Sequence, residues 1–474
     1  MIRSLASPIP SGLFAMASLL CLPLRAEEVS APQPNLEVLS RKLDEADQRS
    51  RIVERKLELL EEENAKAKAT APVVGVGDKG LVFKSADGAL SVKIGGVVQA
   101  DGRAYFKNDA LANSGDTLLL RVVRPTFDAT FFNVADLRIT PDFASGATLI
   151  QDAYGDLRPF RWLKLRVGKF TPPTGLERLQ GTGAIVFAER GTPVALVPNR
   201  DVGVQLHGDV AFASYAIGLF NGVVDGASAD VDTGFAKDVV GRIFLRPWKS
   251  DPYSSLTGLG FGVGASSGDH QGKAAVLSGT TVTTASVTNL PTFKSAGQQT
   301  VFKYSSKDSA VDGTVLASGR QVRVAPQASY YLGGFGLLAE YVVSRQPVSK
   351  GATSATLSNQ AWQVAATYLI GAGKNGFEGV QVHKPFSPEK GGLGVLELAA
   401  RYTELRLDPD TFPTFADSSA SIKTARGFAV AVNWHWSRNI KLGSTYEETR
   451  FDGGAKGGDR KTERVLFERL QALF

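Results

Sequence analysis

Basic side chains recur beside aliphatic ones at alternate positions. In Arg124-Pro125-Thr126-Phe127-Asp128, an apolar environment for Phe127 puts Arg124, Thr126 and Asp128 on the opposite face. The same parity sets Lys164 and Arg166 against Leu163, Leu165 and Val167, and Arg138 against Leu137 and Ile139. It sets Arg242 and Arg246 against Ile243 and Leu245, Arg323 against Val322 and Val324, and Arg401 against Leu398 and Ala400. The acids placed on that face, Asp128, Asp136, Glu340 and Glu397, are fewer. A wall of guanidinium and ammonium groups makes no bonds. It attracts anions and lowers the cost of stripping their water, and arginine adds a planar fork that matches an oxyanion and stays charged. Each cation also has a plainer reading, pairing with a neighbouring carboxylate to hold the wall.

Other chemistry finds little support. The one cysteine, Cys21, sits near the N-terminus behind Leu20, where a lipid-attachment signal needs a small residue. His207, His270, His383 and His435 have no metal-ligand spacing, and nucleophile-elbow, phosphate-loop and zinc motifs are missing. Gly75-Val76-Gly77-Asp78-Lys79-Gly80 is glycine-rich but opens no helix. The expectation is a protein that is not an enzyme, needs no cofactor or metal, and has no nucleic-acid partner.

The elements that must carry the cations are strands. From residue 81 onward apolar and polar residues alternate, as in Val202-Gly203-Val204-Gln205-Leu206-His207 and in 428–436, with Gly, Asp, Asn and Pro turns between. One face is small or charged, the other aliphatic with aromatics near the strand ends, which matches a wet lumen and a lipid-facing girdle. Long polar stretches such as 264–299 read as outer loops. In the last strand Leu470, Ala472 and Phe474 share one face and Arg469 and Gln471 the other. The fold class expected is all-β, a transmembrane antiparallel barrel at 78–474.

Ahead of it, residues 1–26 carry Arg3, an apolar stretch over 13–22 and a Leu24-Arg25-Ala26 cleavage site, an export signal. Within 27–77, the heptad positions Leu36, Leu43, Leu57 and Leu39, Ala46, Val53, Leu60, Ala67 are apolar, with Ser50 and Asn64 polar, which predicts a coiled-coil helix over 35–68 and a linker over 71–80. The net charge is +6, and the basic excess belongs to 78–474, which carries +7 against −3 for 27–77. That points the large domain towards an anionic partner.

Several stretches together resemble the phosphate-selective porins of the O and P type. They include Leu165-Arg166-Val167-Gly168-Lys169-Phe170 with the Thr171-Pro172-Pro173 that follows, Asn199-Arg200-Asp201-Val202-Gly203, Glu397-Leu398-Ala399-Ala400-Arg401-Tyr402 and the closing Arg469-Leu470-Gln471-Ala472-Leu473-Phe474. The resemblance implies a sixteen-stranded barrel in the outer membrane, a homotrimer, inorganic phosphate or similar small anions as cargo, and a loop folded into each pore. It also implies that Phe474 is read by the barrel-assembly machinery. Residues 171–200 are the candidate constriction loop, with Lys169, Arg178, Arg190 and Arg200 as gatekeepers, while Glu177 and Glu189 beside two of them would neutralise those two. Val122-Val123 interrupts Arg121 and Arg124, which would dilute the anion path. Alternatives are a general, polyphosphate or organic-anion porin, and an envelope tether built on the coiled coil.

Overall fold

A computed structural model describes residues 35–77, 80–106, 115–144, 146, 148–232, 237–279, 281–309 and 313–474. The export signal expected at 1–26 lies outside them. The chain divides into two units, one ending at Ala69 and one running from Thr70 to Phe474.

The first unit is one helix, α1 (Leu36–Thr70), where the heptads place it. Asn35 caps it, its Oδ1 accepting from the Glu37 amide at 3.2 Å. Asp47–Arg51 and Arg55–Glu58 pair along its surface at 2.8 Å each, worth about 0.3–0.5 kcal/mol apiece. Leu36, Leu43, Leu57 and Leu60 are exposed on it.

The second unit is a barrel. Its strands are β1 (Leu90–Tyr105), β2 (Thr117–Phe131), β3 (Ala135–Asp142), β4 (Leu149–Leu157), β5 (Lys164–Phe170), β6 (Asp201–Val210), β7 (Ala213–Phe220) and β8 (Asp238–Leu245). They continue as β9 (Leu259–Gln271), β10 (Leu316–Leu332), β11 (Phe335–Lys350), β12 (Thr353–Gly371), β13 (Val395–Arg406), β14 (Ile422–His435), β15 (Ile440–Ala455) and β16 (Glu463–Leu473). Each pairs antiparallel with the next, and β16 returns to β1 with Val465 opposite Tyr105 and Leu473 opposite Val97. Closure leaves these sixteen strands without a free edge. The Phe474 and Gly96 amides exchange hydrogen bonds of 3.1 and 2.9 Å at the seam.

β1 starts before the point where β16 stops, and a hairpin of Val73–Gly77 and Gly80–Lys84 covers the edge left over, with Leu81 opposite Ile94. The stretch read as a linker therefore holds a strand. Val73, Val74 and Val76 supply the β-branched residues, and the glycines between them hide the signal.

Parity holds along the wall. In β14, Phe428, Val430 and Val432 are exposed on the outer face while Ala429 and Ala431 are buried inside. Residues 264–271, read as part of a loop, continue β9. Its lumen face there is Ser266 and His270, which a wet interior accepts, so the strand lacks an apolar side to reveal it.

The barrel is uneven in two respects. β3, β5, β7 and β8 have only 7 or 8 residues, whereas β10 to β12 have 16 to 19. The interior is also divided. Segments 171–200, 281–309 and 407–421 fold into the mouth, where Leu196, Phe293, Phe302 and Phe415 pack on Val342 and Leu405 of the tall wall. That side of the lumen is a dry core, and the side facing β1–β6 keeps charged groups.

Candidate functional site: the constriction

The loop 171–200 is laid across the lumen and pinned by its own backbone. The Leu176 and Glu177 amides donate to the Glu340 carboxylate at 2.9 and 3.1 Å. Lys441 Nζ, Asn433 Nδ2 and Gln471 Nε2 donate to the carbonyls of Ile185, Val186 and Gly183 at 2.8, 2.9 and 3.0 Å. Gly191 allows the closest approach, because a Cβ there would stand 2.0 Å from Gln363 Oε1. From the short-turn rim, segment 372–394 rises to meet the loop, and Gln180 Nε2 donates to the Phe377 carbonyl at 3.1 Å.

Glu177 and Glu189 form no ion pair with the arginines next to them, although the charge of Glu177 still acts on both. Glu189 turns to Arg121, which grips both its oxygens at 2.9 Å, and to Arg103 at 3.1 Å. Glu177 accepts from the Gly191 amide and Gln363 at 2.9 and 2.8 Å and lies 3.8 Å from Arg401. Successive loop residues point in different directions, which adjacency in sequence does not show. Arg178 instead donates to Asn199 Oδ1 at 3.2 Å and to the Val194 carbonyl, and Arg190 to the Gln180 carbonyl at 2.9 Å. Neither makes an ion pair among the described residues. Burial pushes both guanidinium groups down from their ordinary range, and each feels the like charge of Arg200. A guanidinium starts far enough above neutrality to stay charged. Burial alone would raise the Glu189 carboxyl, but Arg121 and Arg103 hold it below the usual carboxylate range.

The wall facing this loop carries cations in pairs with carboxylates. Arg124 donates to Asp142 at 2.7 Å and to Thr182 of the loop at 2.8 Å. Arg138 pairs with Asp128 at 2.6 Å, Arg166 with Asp156 at 2.6 Å, Arg200 with Asp152 at 2.8 Å and Lys164 with Asp209 at 3.4 Å. Arg166 also lies 4.3 Å over the Tyr154 ring. Lys169 is buried against Asp230. Arg242 donates to Gln327 at 2.9 Å and stacks on Phe244, while Arg246 is exposed at the short-turn rim.

Arg323 and Arg401 are different. With side chains 0 % and 1 % exposed, against 43 % for Arg138, they sit in the dry half. Arg323 bridges Asp225 at 2.6 Å and Asp238 at 2.8 Å, and Arg401 holds Glu447 at 2.9 Å. Both hold the loops in place and neither offers a free charge to the lumen.

Sequence parity missed Arg121. A bulge opposite Gln99 and Ala100 makes it an extra residue in β2, so Arg121 and Arg124 both turn inward although they are three apart. Arg103 and the Asp101–Arg469 pair at 2.7 Å were legible in the alternation of β1 and β16. Arg121, Arg178, Arg190 and Lys294 line a cavity of about 170 Å³ between the constriction and the folded-in 281–309 segment, with Glu189 and Glu447 on its walls.

The histidines serve the wall: His207, His270 and His435 meet Asp156, Asp238 and Glu397 at 3.0, 3.0 and 3.1 Å. Among the described residues, no group of His, Cys, Asp and Glu is arranged to hold a metal.

A closed sixteen-strand barrel with an inward loop is the frame of a diffusion pore, and residues 92–471 match the family model of the phosphate-selective porins O and P. The chain belongs to that family. It is a multi-pass porin of the bacterial outer membrane. The described helix is not apolar enough to cross a membrane, and the porin crosses with its strands. No curated protein matches it. Among solved structures it is similar to the outer-membrane channel DcaP of Acinetobacter baumannii, at 12% identity and a TM-score of 0.51, covering 83% of this chain and 99% of that one. It is also similar to in-vitro folded OmpT of Vibrio cholerae, at 11% identity and a TM-score of 0.50, covering 81% and 98%. These likenesses show the fold alone.

Proposed function

We propose that the porin passes phosphate and similar small oxyanions by passive diffusion, between the loop 171–200 and the wall of β2 to β6. The observation that carries this reading is the orientation of the loop. Its two carboxylates are turned away, and Arg178 and Arg190 are left without an ion pair among the described residues at the narrow point. On the facing wall each cation leans on a carboxylate, so the wall holds several weak sites and the loop supplies the net charge. Many moderate sites let an ion leave as readily as it enters.

The family supports an anionic cargo. The paired wall supports a broad one, extending to organic anions. Bilayer recordings test the reading: anion preference with chloride current reduced by added phosphate supports it, and cation preference defeats it.

The remaining features fit this role. Residues 1–26 direct export, and α1 joins three copies as a coiled coil. The low wall of β3 to β8 favours contact between those copies. A strand of 7 residues rises only about 23 Å along its own axis, and tilting shortens that against a lipid band of about 25 Å. Deleting 35–68 separates a trimer clamp from an envelope tether, since loss of the clamp lowers the oligomeric state of the purified porin.

A further inference from the structure

The outer face of the tall wall carries charge where a lipid-facing surface is ordinarily apolar. Parity puts Arg345, Arg406, Arg426, Arg450 and Arg464 on the outside of β11 and β13–β16, near the long-loop rim. Arg320 joins them on β10, beside Asp269. They stand just beyond an aromatic row of Tyr341, Trp362, Tyr402, Phe428 and Tyr446 on the same face, the level at which hydrocarbon gives way to headgroups. On the low wall the outward row towards the same rim is apolar, with Val204, Leu219 and Val239 exposed side by side. The belt therefore belongs to one side of the barrel.

Glu404, Glu448 and Asp452 lie among these arginines, and Glu448 takes both Arg450 and Arg464 at 2.8 Å. Arg426 spends its fork on Asp452, at 3.0 and 2.9 Å, whereas Arg450 and Arg406 are less engaged. Arg450 and Arg406 keep 73% and 61% of their side chains exposed, and each spends one nitrogen on its partner. Exposed pairs of this kind contribute little to stability. Between them, Tyr402, Phe428 and Tyr446 form the apolar floor of a cavity of about 450 Å³, with Arg426, Arg450 and Glu448 at its mouth.

From this arrangement we infer that the belt binds the phosphorylated headgroups of outer-leaflet glycolipids, with acyl chains against the aromatic floor and phosphate on the free nitrogens of Arg450 and Arg406. Arginine suits the task because its free N–H groups lie in one plane and meet two phosphate oxygens at once. Long loops face outward in barrels of this kind, so the belt lies in the outer leaflet. The site is on the outside of the wall and is independent of the conduction path.

The test uses the purified full-length porin in detergent. Its thermal midpoint is measured with a bisphosphorylated glycolipid, with the same lipid dephosphorylated, and with inorganic phosphate. The expected result is a rise of several degrees with the first only, and loss of at least half of that rise in the double variant Arg406→Gln, Arg450→Gln. Bilayer conductance of the variant, unchanged from the parent, shows that it is folded. An equal rise with the dephosphorylated lipid, an equal rise in the variant, or no rise at all overturns the proposal. So does a rise produced by inorganic phosphate alone, which would place the anion elsewhere.

Discussion

Arg121 holds Glu189 through two parallel hydrogen bonds of 2.9 Å, Nε to one carboxylate oxygen and Nη2 to the other. This fork ties the constriction loop to β2 and spends the charge of Glu189 on the wall. Replacing Glu189 with Gln keeps the shape of the side chain and removes its charge. The expected outcome is a barrel that still folds, with stronger anion preference, because Arg103 and Arg121 lose their partner. A zero-current potential measured in a salt gradient reads the change. A shift towards cations would show that Glu189 does not screen these arginines.

Arg178 and Arg190 carry the loop's unpaired charge. Each unit charge about 6–8 Å from the path contributes on the order of 0.5–0.7 kcal/mol at water-like dielectric. The two charges together favour an anion and disfavour a cation by about 1.0–1.4 kcal/mol each, so changing both to Gln is expected to lower the anion-to-cation permeability ratio roughly 30- to 100-fold at low salt. Changing both to Lys keeps the charge and loses the fork. Chloride selectivity should survive in that variant while block by phosphate weakens.

Arg323 should behave in the opposite way. It is fully buried between Asp225 and Asp238, so Arg323→Ala leaves two carboxylates without their cation. The expected cost is about 3–5 kcal/mol of stability, read as a lowered thermal unfolding midpoint, with little effect on selectivity in whatever fraction folds. A large selectivity change at unchanged stability would return Arg323 to the conduction path.

These contrasts mark what the sequence reveals. Alternation placed Arg124, Arg138, Lys164 and Arg166 on the inner face because a strand in lipid must show Leu or Phe outside. It could not separate Arg138, which is solvated, from Arg323, which is walled in by loops folded over it from far along the chain. The loop core around Phe293 and Phe302 has no local signature, since its partners come from three connections and six strands. Arg121 was hidden by one inserted residue that reverses the parity of β2. The turning away of Glu177 and Glu189 depends on partners more than 60 residues distant, Arg121 and Gln363, which no local spacing encodes.

The pH dependence follows from which groups titrate. The selecting cations are guanidinium groups, so anion preference should stay level across neutral pH. On acidification through the ordinary carboxylate range negative charge is lost and anion preference should rise. Glu189, held below the usual range, should be among the last to change. Selectivity recorded at stepped pH checks this, and a fall in anion preference on acidification would contradict it.

The most direct measurement is the zero-current potential of the unaltered porin in a planar bilayer under a potassium chloride gradient, followed by addition of phosphate. A potential of the anion-selective sign, with chloride current falling as phosphate rises, is the expected result. A potential of the cation-selective sign, or a chloride current indifferent to phosphate, would contradict an oxyanion path governed by Arg178 and Arg190.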